Sequence, residues 1–133
     1  MPSFAYLDAS AIVKLVVAEI ETGGLERDLA NRSGLITSRL GAAELIRAAS
    51  RAHSRRVLQQ AEEVLESFVL VDVSTAVLNR AARLQPSTLR TLDAIHLATA
   101  GSLDLAPLDF VTYDDRLAAA AAAHGLRVKR PGQ

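Results

Sequence analysis

The sequence predicts an α/β fold, an open parallel sheet with helices packed over both faces. Apolar runs of strand length alternate with longer stretches of helical period along the whole chain, the pattern of parallel strands joined by helical crossovers. Composition bounds the answer. The chain has 133 residues, half of them apolar and 23% charged, enough to bury a core and too apolar for a disordered chain. The expected unit is one domain over residues 1–133.

The first strand is 3–7 (SFAYL), closed by Asp8. A helix follows from 9 to about 18, with Ile12, Leu15, Val16 and Glu19 spaced by three and four. Glu21 and Thr22 precede a second helix through Leu25 and Leu29, ending near Asn31 and Gly34. A short buried strand occupies 35–37, and 38–52 reads as a helix along Leu40, Ala43, Ile46 and Arg47. Another helix spans 55–68, its apolar stripe formed by Leu58, Ala61, Val64, Leu65 and Phe68. A third strand is 69–73 (VLVDV), after which Ser74 caps a helix to about Leu84, and Pro86 breaks the pattern. The next helix begins at Thr91 or Leu92 and runs to Gly101. The fourth strand is 109–112 (DFVT), followed by a helix over 114–123 and a last short strand over 126–129. The alanine run 118–123 is a good helix former and reads as a surface-skimming helix.

Such a sheet binds ligands beyond the carboxyl ends of its strands, where strand order reverses. Function is therefore expected just after strands one and four, at Asp8 and Asp114. Other chemistries are excluded. Fifteen basic residues balance fifteen acidic ones, so no global positive field draws the chain to nucleic acid, and with no cysteine there is no disulfide, thiolate zinc site or thiol catalysis. No basic leader precedes an apolar run, and no apolar stretch approaches the roughly 18–20 residues of a spanning helix. A soluble, cytoplasmic protein without a membrane partner is expected.

Four acids stand out. Asp8, Asp93 and Asp114 each open a helical stretch and have an ordinary explanation as helix caps. Glu44 does not, since it sits mid-helix within the apolar stretch 40–46 (LGAAELI), where a carboxylate must face the surface or a cleft. If the four converge, their charges repel and raise one another's pKa values unless a cation joins them. Mg²⁺ or Mn²⁺ suits such an oxygen set and brings water that can act as nucleophile at a phosphodiester.

Three segments resemble the PIN-domain family, and within it the VapC toxins of bacterial toxin–antitoxin pairs: LDASAIVKL over 7–15, TLDAIHLATA over 91–100 and FVTYDDRLAAAAAAHGL over 110–126. A weaker match is AAELIRAASR over 42–51. They span nearly the whole chain, in family order. The resemblance implies a three-layer α/β/α sandwich around a short parallel sheet and a metal-dependent endoribonuclease. It also implies a homodimer silenced by a cognate VapB-like antitoxin that inserts residues into the active-site cleft. Carried over by position, Asp8, Glu44, Asp93 and Asp114 would hold Mg²⁺ or Mn²⁺ and form the catalytic cluster. Ser10 and Thr112 match small hydroxyl positions that could orient Asp8 or a metal-bound water, although a first-turn helix residue and a plain strand residue are ordinary readings of each. Asp115 is either an outer charge of the cluster or a solvated acid at a helix start, the second being favoured.

Arg47, Arg51, Arg55 and Arg56 form the best local patch for RNA phosphate or antitoxin contact; the alternative is a solvated face paired with Glu62 or Glu63. Arg116 could meet a phosphate or pair with a nearby carboxylate, and the cluster Arg127, Lys129 and Arg130 reads as a frayed terminus. His96, three residues after Asp93, reads as a packed histidine before a ligand or base. His53, His124, the five aromatics and Gly23–Gly24 suggest no site. Two other functions compete with the nuclease. A phosphoryl-transfer enzyme could use Asp8 as nucleophile, though Ser10 stands where such hydrolases place a second acid. A non-catalytic α/β interaction module would make the acids caps, which leaves Glu44 unexplained.

Overall fold

The computed structural model describes residues 3–133. Five strands, β1 (Phe4–Leu7), β2 (Gly34–Ser38), β3 (Phe68–Val71), β4 (Leu108–Val111) and β5 (Arg127–Lys129), form one sheet in the order β3-β2-β1-β4-β5. Every pairing is parallel. Among the described residues seven helices connect them: α1 (Ala9–Ile12), α2 (Thr22–Leu29), α3 (Arg39–Ser50), α4 (Arg55–Glu66), α5 (Thr75–Ala82), α6 (Thr91–Ser102) and α7 (Asp115–Ala123). Among the described residues no helix is long and apolar enough to cross a membrane.

The period of two in each strand divides the core into layers. Ala5 and Leu7 of β1 and Val111 of β4 face one side, where they pack with Ile12 of α1, Leu25 of α2, Leu45 of α3 and Ala61 of α4. Tyr6 and Phe110 face the other and meet Leu97 of α6 and Leu117 of α7, their rings stacked at 5.6 Å between centroids. A smaller cluster joins Val77 and Ala81 of α5 to Ile95 and Ala98 of α6. Helices therefore cover both faces of the parallel sheet in an α/β/α sandwich. From Asp93 to Ala100, α6 is buried at every position, as expected of a helix apolar on most of its circumference. In α7, Ala118, Ala120 and Ala121 face the core while Ala119, Ala122 and Ala123 are exposed.

Three expectations need correction. The helix expected over 9–18 stops early: α1 gives way to a 3₁₀ turn at Val13–Leu15. Thr22 Oγ1 donates to the Lys14 carbonyl at 2.7 Å and accepts from the Glu19 amide at 2.8 Å. That side chain takes a carbonyl the continuing helix would have used. Lys14 Nζ is meanwhile held by Glu19 at 3.3 Å and Glu21 at 3.2 Å. The third strand is Phe68–Val71 rather than 69–73, because register pairs Leu35 with Phe68 and Ser38 with Val71, leaving Asp72 and Val73 no partner beyond the end of β2. Phe68 thus leaves the helix and enters the core. The C-terminal basic cluster is not frayed either. Arg127 and Lys129 lie in β5, and Arg130 Nη2 donates to the Tyr113 carbonyl and to Asp115 Oδ1, both at 2.7 Å. The remaining elements lie within two residues of their expected bounds.

Strand order reverses at β1, since β2 and β3 lie to one side of it and β4 and β5 to the other. The crevice between the carboxyl ends of β1 and β4 is thus where a ligand site is expected. Asp8 follows β1 and Asp114 lies three residues beyond β4.

Candidate active site

Two hydroxyl side chains tie the ends of β1 and β4 together. Ser10 Oγ donates to Asp8 Oδ1 at 2.7 Å, and Thr112 Oγ1 donates to Asp8 Oδ2 at 2.7 Å. The same hydroxyls accept the backbone N–H groups of Tyr113 at 3.0 Å and Asp114 at 3.1 Å. Asp8 also caps α1 by accepting from the Ala11 amide at 3.1 Å. Its carboxylate therefore has both oxygens bonded, and the residue is 3% exposed. Burial pushes the Asp8 carboxyl above its ordinary value, against the downward pull of the Thr112 and Ser10 hydroxyls. The charge is fixed in place but not fully compensated.

The other acids arrive from three further elements. Asp114 caps α7 through its Oδ1, which accepts from the Leu117 amide at 2.8 Å. Asp93 is not a cap, contrary to one reading of the sequence: α6 has Arg90 at its cap position, with no side-chain bond there, and Asp93 lies in the first turn. Glu44 reaches out of α3, whose close approach to the sheet depends on Gly41. A Cβ at Gly41 would collide with Thr37 Oγ1 and come within 3.2 Å of the His96 ring. Glu44 Oε1 lies 2.6 Å from Nε2 of His96, whose Nδ1 lies 2.8 Å from Tyr6 Oη. Both imidazole nitrogens are thereby used inside the protein.

Asp8, Ser10, Glu44, Asp93, His96 and Asp114 line one cleft of about 180 Å³, together with Ala9 and Arg90. Arg90 is the cationic residue in that lining, and sequence reasoning passed it over. Its Nε donates to Asp93 Oδ2 and its Nη2 to Asp114 Oδ2, each at 2.9 Å. The hydrogen bond and charge of Asp93, with the charge of Asp114, drive the guanidinium pKa upward. One signal could have found it: a cation at a helix N-terminus opposes the helix dipole and calls for an acid nearby, and Asp93 is three residues on.

Thr112 is fully buried beneath the cleft. Asp115 is off its floor, with a side chain 91% exposed and bonded to Arg130, as favoured for a solvated acid. Arg116 stands at the mouth, where Arg90, Asp114, Asp115 and Arg116 line an adjoining depression. Arg47, Arg51, Arg55 and Arg56 are exposed on α3, α4 and the turn between them and line neither hollow. None of the four forms an ion pair among the described residues, so the pairing with Glu62 or Glu63 that the alternative reading required is not made.

The donor set is carboxylate oxygen, the kind hard divalent cations take. As they stand, no three acidic or histidine side chains among the described residues close on a common ligation point. Asp93 and Asp114 are turned to Arg90, and Glu44 to His96.

Comparison with known proteins decides the family. The model of the PIN domain matches residues 5–123. The chain belongs to the PIN-domain family. It is 43% identical over 127 residues to "Ribonuclease VapC46" of Mycobacterium tuberculosis, covering 95% of this chain and 96% of that one. "Ribonuclease VapC47" of the same species is 36% identical over 131 residues, covering 96% of each. Among solved structures, a toxin–antitoxin complex from Klebsiella pneumoniae superposes with a TM-score of 0.72 at 23% identity, over 95% of this chain and 96% of that one. That likeness speaks for the PIN fold, and the two ribonucleases place the chain among the VapC-type members of the family.

Proposed function

We propose that this PIN-domain chain is an endoribonuclease, the toxin of a toxin–antitoxin pair, that hydrolyses RNA phosphodiester bonds with Mg²⁺ or Mn²⁺ held by Asp8, Glu44, Asp93 and Asp114. The observation that carries the reading is the sharing of one cleft by four carboxylates from four separate elements, at the point where strand order reverses. The VapC relatives, named as ribonucleases, support the reaction class, and the Klebsiella complex supports an antitoxin partner. A VapB-like partner covering the cleft, a homodimer and a cytoplasmic place of action complete the reading.

When bound, the metal would supply charge neutralisation at the scissile phosphate and an activated water. The chain's own residues do the positioning. Ser10 and Thr112 hold Asp8 in one orientation, and His96 holds Glu44. The Leu117 amide fixes Asp114 through its Oδ1 and leaves Oδ2 directed into the cleft. Arg116 at the mouth is placed to meet the phosphodiester chain. Asp8 is a poor nucleophile, because both its oxygens are bonded and its carboxylate is buried. A module whose acids are only caps does not account for Asp93 inside its helix or Glu44 in mid-helix.

The test is cleavage of a total-RNA panel by the purified chain in Mg²⁺, in Mn²⁺ and in excess EDTA. Cleavage in the two metals and silence in EDTA is expected. Cleavage that persists in EDTA overturns the metal role, and a borohydride-trapped aspartyl phosphate at Asp8 would replace the nuclease with a phosphotransferase.

A further inference from the structure

Four carboxylates in one small cleft repel one another, and the protein answers with one guanidinium. Arg90 spans Asp93 and Asp114 with two hydrogen bonds of 2.9 Å, and both acceptor oxygens belong to the set proposed to hold the metal. Its side chain is 69% exposed, and Arg90 lies at the junction between the cleft and the depression lined by Arg116. No packing locks it, so the guanidinium can swing into solvent without opening the core. While it bridges the two aspartates, no three acidic or histidine side chains among the described residues close on a common ligation point.

We propose that Arg90 is a built-in counter-cation that a divalent metal must displace from Asp93 and Asp114, and that it sets the metal concentration at which the cleft fills. The inference rests on the metal reading of the site. A guanidinium and a metal ion cannot share the same carboxylate lone pairs, so each weakens the binding of the other. Two partly exposed ion pairs are worth little individually. The arginine therefore tunes metal affinity without preventing binding.

The experiment measures Mn²⁺ binding by calorimetry and Mn²⁺-induced thermal stabilisation, with no RNA present, in wild type, Arg90→Gln, Arg90→Lys and Asp8→Asn. Arg90→Gln is expected to bind Mn²⁺ about two- to tenfold more tightly, the size set by two such pairs. It should also melt lower than wild type in EDTA and gain more from saturating Mn²⁺. Arg90→Lys, which keeps the charge but lacks the fork that bridges two carboxylates, should fall between them. Equal or weaker Mn²⁺ binding by Arg90→Gln, with wild-type binding intact and abolished by Asp8→Asn, overturns the role of Arg90 and leaves the metal reading standing. If wild type binds no Mn²⁺, or Asp8→Asn binds it as well as wild type does, both fall together.

Discussion

Nε2 of His96 lies 2.6 Å from Oε1 of Glu44, while Nδ1 of the same ring lies 2.8 Å from the hydroxyl of Tyr6. In the neutral ring the partners assign the tautomer: the carboxylate only accepts, so Nε2 carries the proton toward it and Nδ1 accepts from Tyr6. The chain of bonds runs from a fully buried tyrosine in the central strand to a carboxylate on the cleft wall. Holding a carboxylate through a partner fixed in the core preorganises it, as outer-shell partners do at metal sites.

Replacing His96 by Leu should therefore act on stability and chemistry together. It leaves the Tyr6 hydroxyl buried without its partner, a cost of about 1–3 kcal/mol, and frees Glu44 to rotate. Cleavage should fall roughly tenfold or more. Tyr6→Phe, which removes only the far end of the chain, should cost about 1 kcal/mol and leave most of the cleavage. Denaturation curves and initial rates of the two variants separate a positioning role from a packing one, because equal losses of rate would refute it.

The pH dependence turns on Asp8. Its carboxyl is raised by burial in the folded state, so the folded protein binds that proton more tightly than the unfolded chain does. The stability it contributes is fully present below the ordinary carboxylate range near pH 4, and is lost as pH rises through the raised native value. At neutral pH without metal, the ionised group is thus a net burden. Asp8→Asn should be more stable than wild type in EDTA at pH 7 by on the order of 1 kcal/mol, and that advantage should vanish on acidification below about pH 4. Cleavage by the variant should drop at least about a hundredfold. A variant less stable than wild type at pH 7 would mean that the bonds from Ser10, Thr112 and Ala11 outweigh the cost of burial.

The legible part of this site follows from rules that act locally. Asp8 and Asp114 stand where strands hand over to helices, and the sheet's alternation announces that position. Glu44 is conspicuous because no cap excuses it. The Arg90–Asp114 bridge, the Tyr6–His96–Glu44 chain and the tight seat at Gly41 were not legible, because each depends on residues brought together only by folding: Thr37 with Gly41, Tyr6 with His96, and Arg90 with Asp114. The same holds for the fold. Strand periodicity located β3 roughly, but its frame comes from pairing with β2, and the early end of α1 comes from the Thr22 hydroxyl eight residues away. Local patterns place elements, and long-range partners set their edges.

Stability without catalysis should be separable at the other end of the sheet. The Arg32 guanidinium is buried and bonds Asp28, Ser3 and Asp109. Arg127 Nε comes within 3.1 Å of Asp109 Oδ1, but off the hydrogen-bond direction. Arg32→Ala should strip Asp109 of its aligned partner and cost about 3 kcal/mol, the usual penalty for breaking a buried pair from one side. Cleavage per folded molecule should not change, because Ala5 and its partner Asp109 lie in the amino-terminal half of their strands, away from the cleft. A rate loss in the folded fraction would tie this cluster to the site.

The exposed arginines offer a test of where RNA runs. Arg47 on α3 and Arg51 at its C-cap follow Glu44 at intervals of three and seven, on the same side of the helix axis, and neither has an acidic partner among the described residues. Arg55 and Arg56 sit in the first turn of α4, where the helix dipole disfavours a cation. A phosphodiester chain leaving the cleft along α3 would meet Arg47 and Arg51 before Arg55 and Arg56, and each contact releases counterions. Arg47→Gln and Arg51→Gln should each flatten the salt dependence of RNA binding by a log–log slope of roughly 0.7, with Arg55→Gln and Arg56→Gln changing it less. Binding isotherms at several salt concentrations on metal-free protein give the slopes before any cleavage. If all four variants keep the wild-type slope while Arg116→Gln loses it, the chain leaves by the mouth at Arg116 instead, and the α3 arginines are a solvated face.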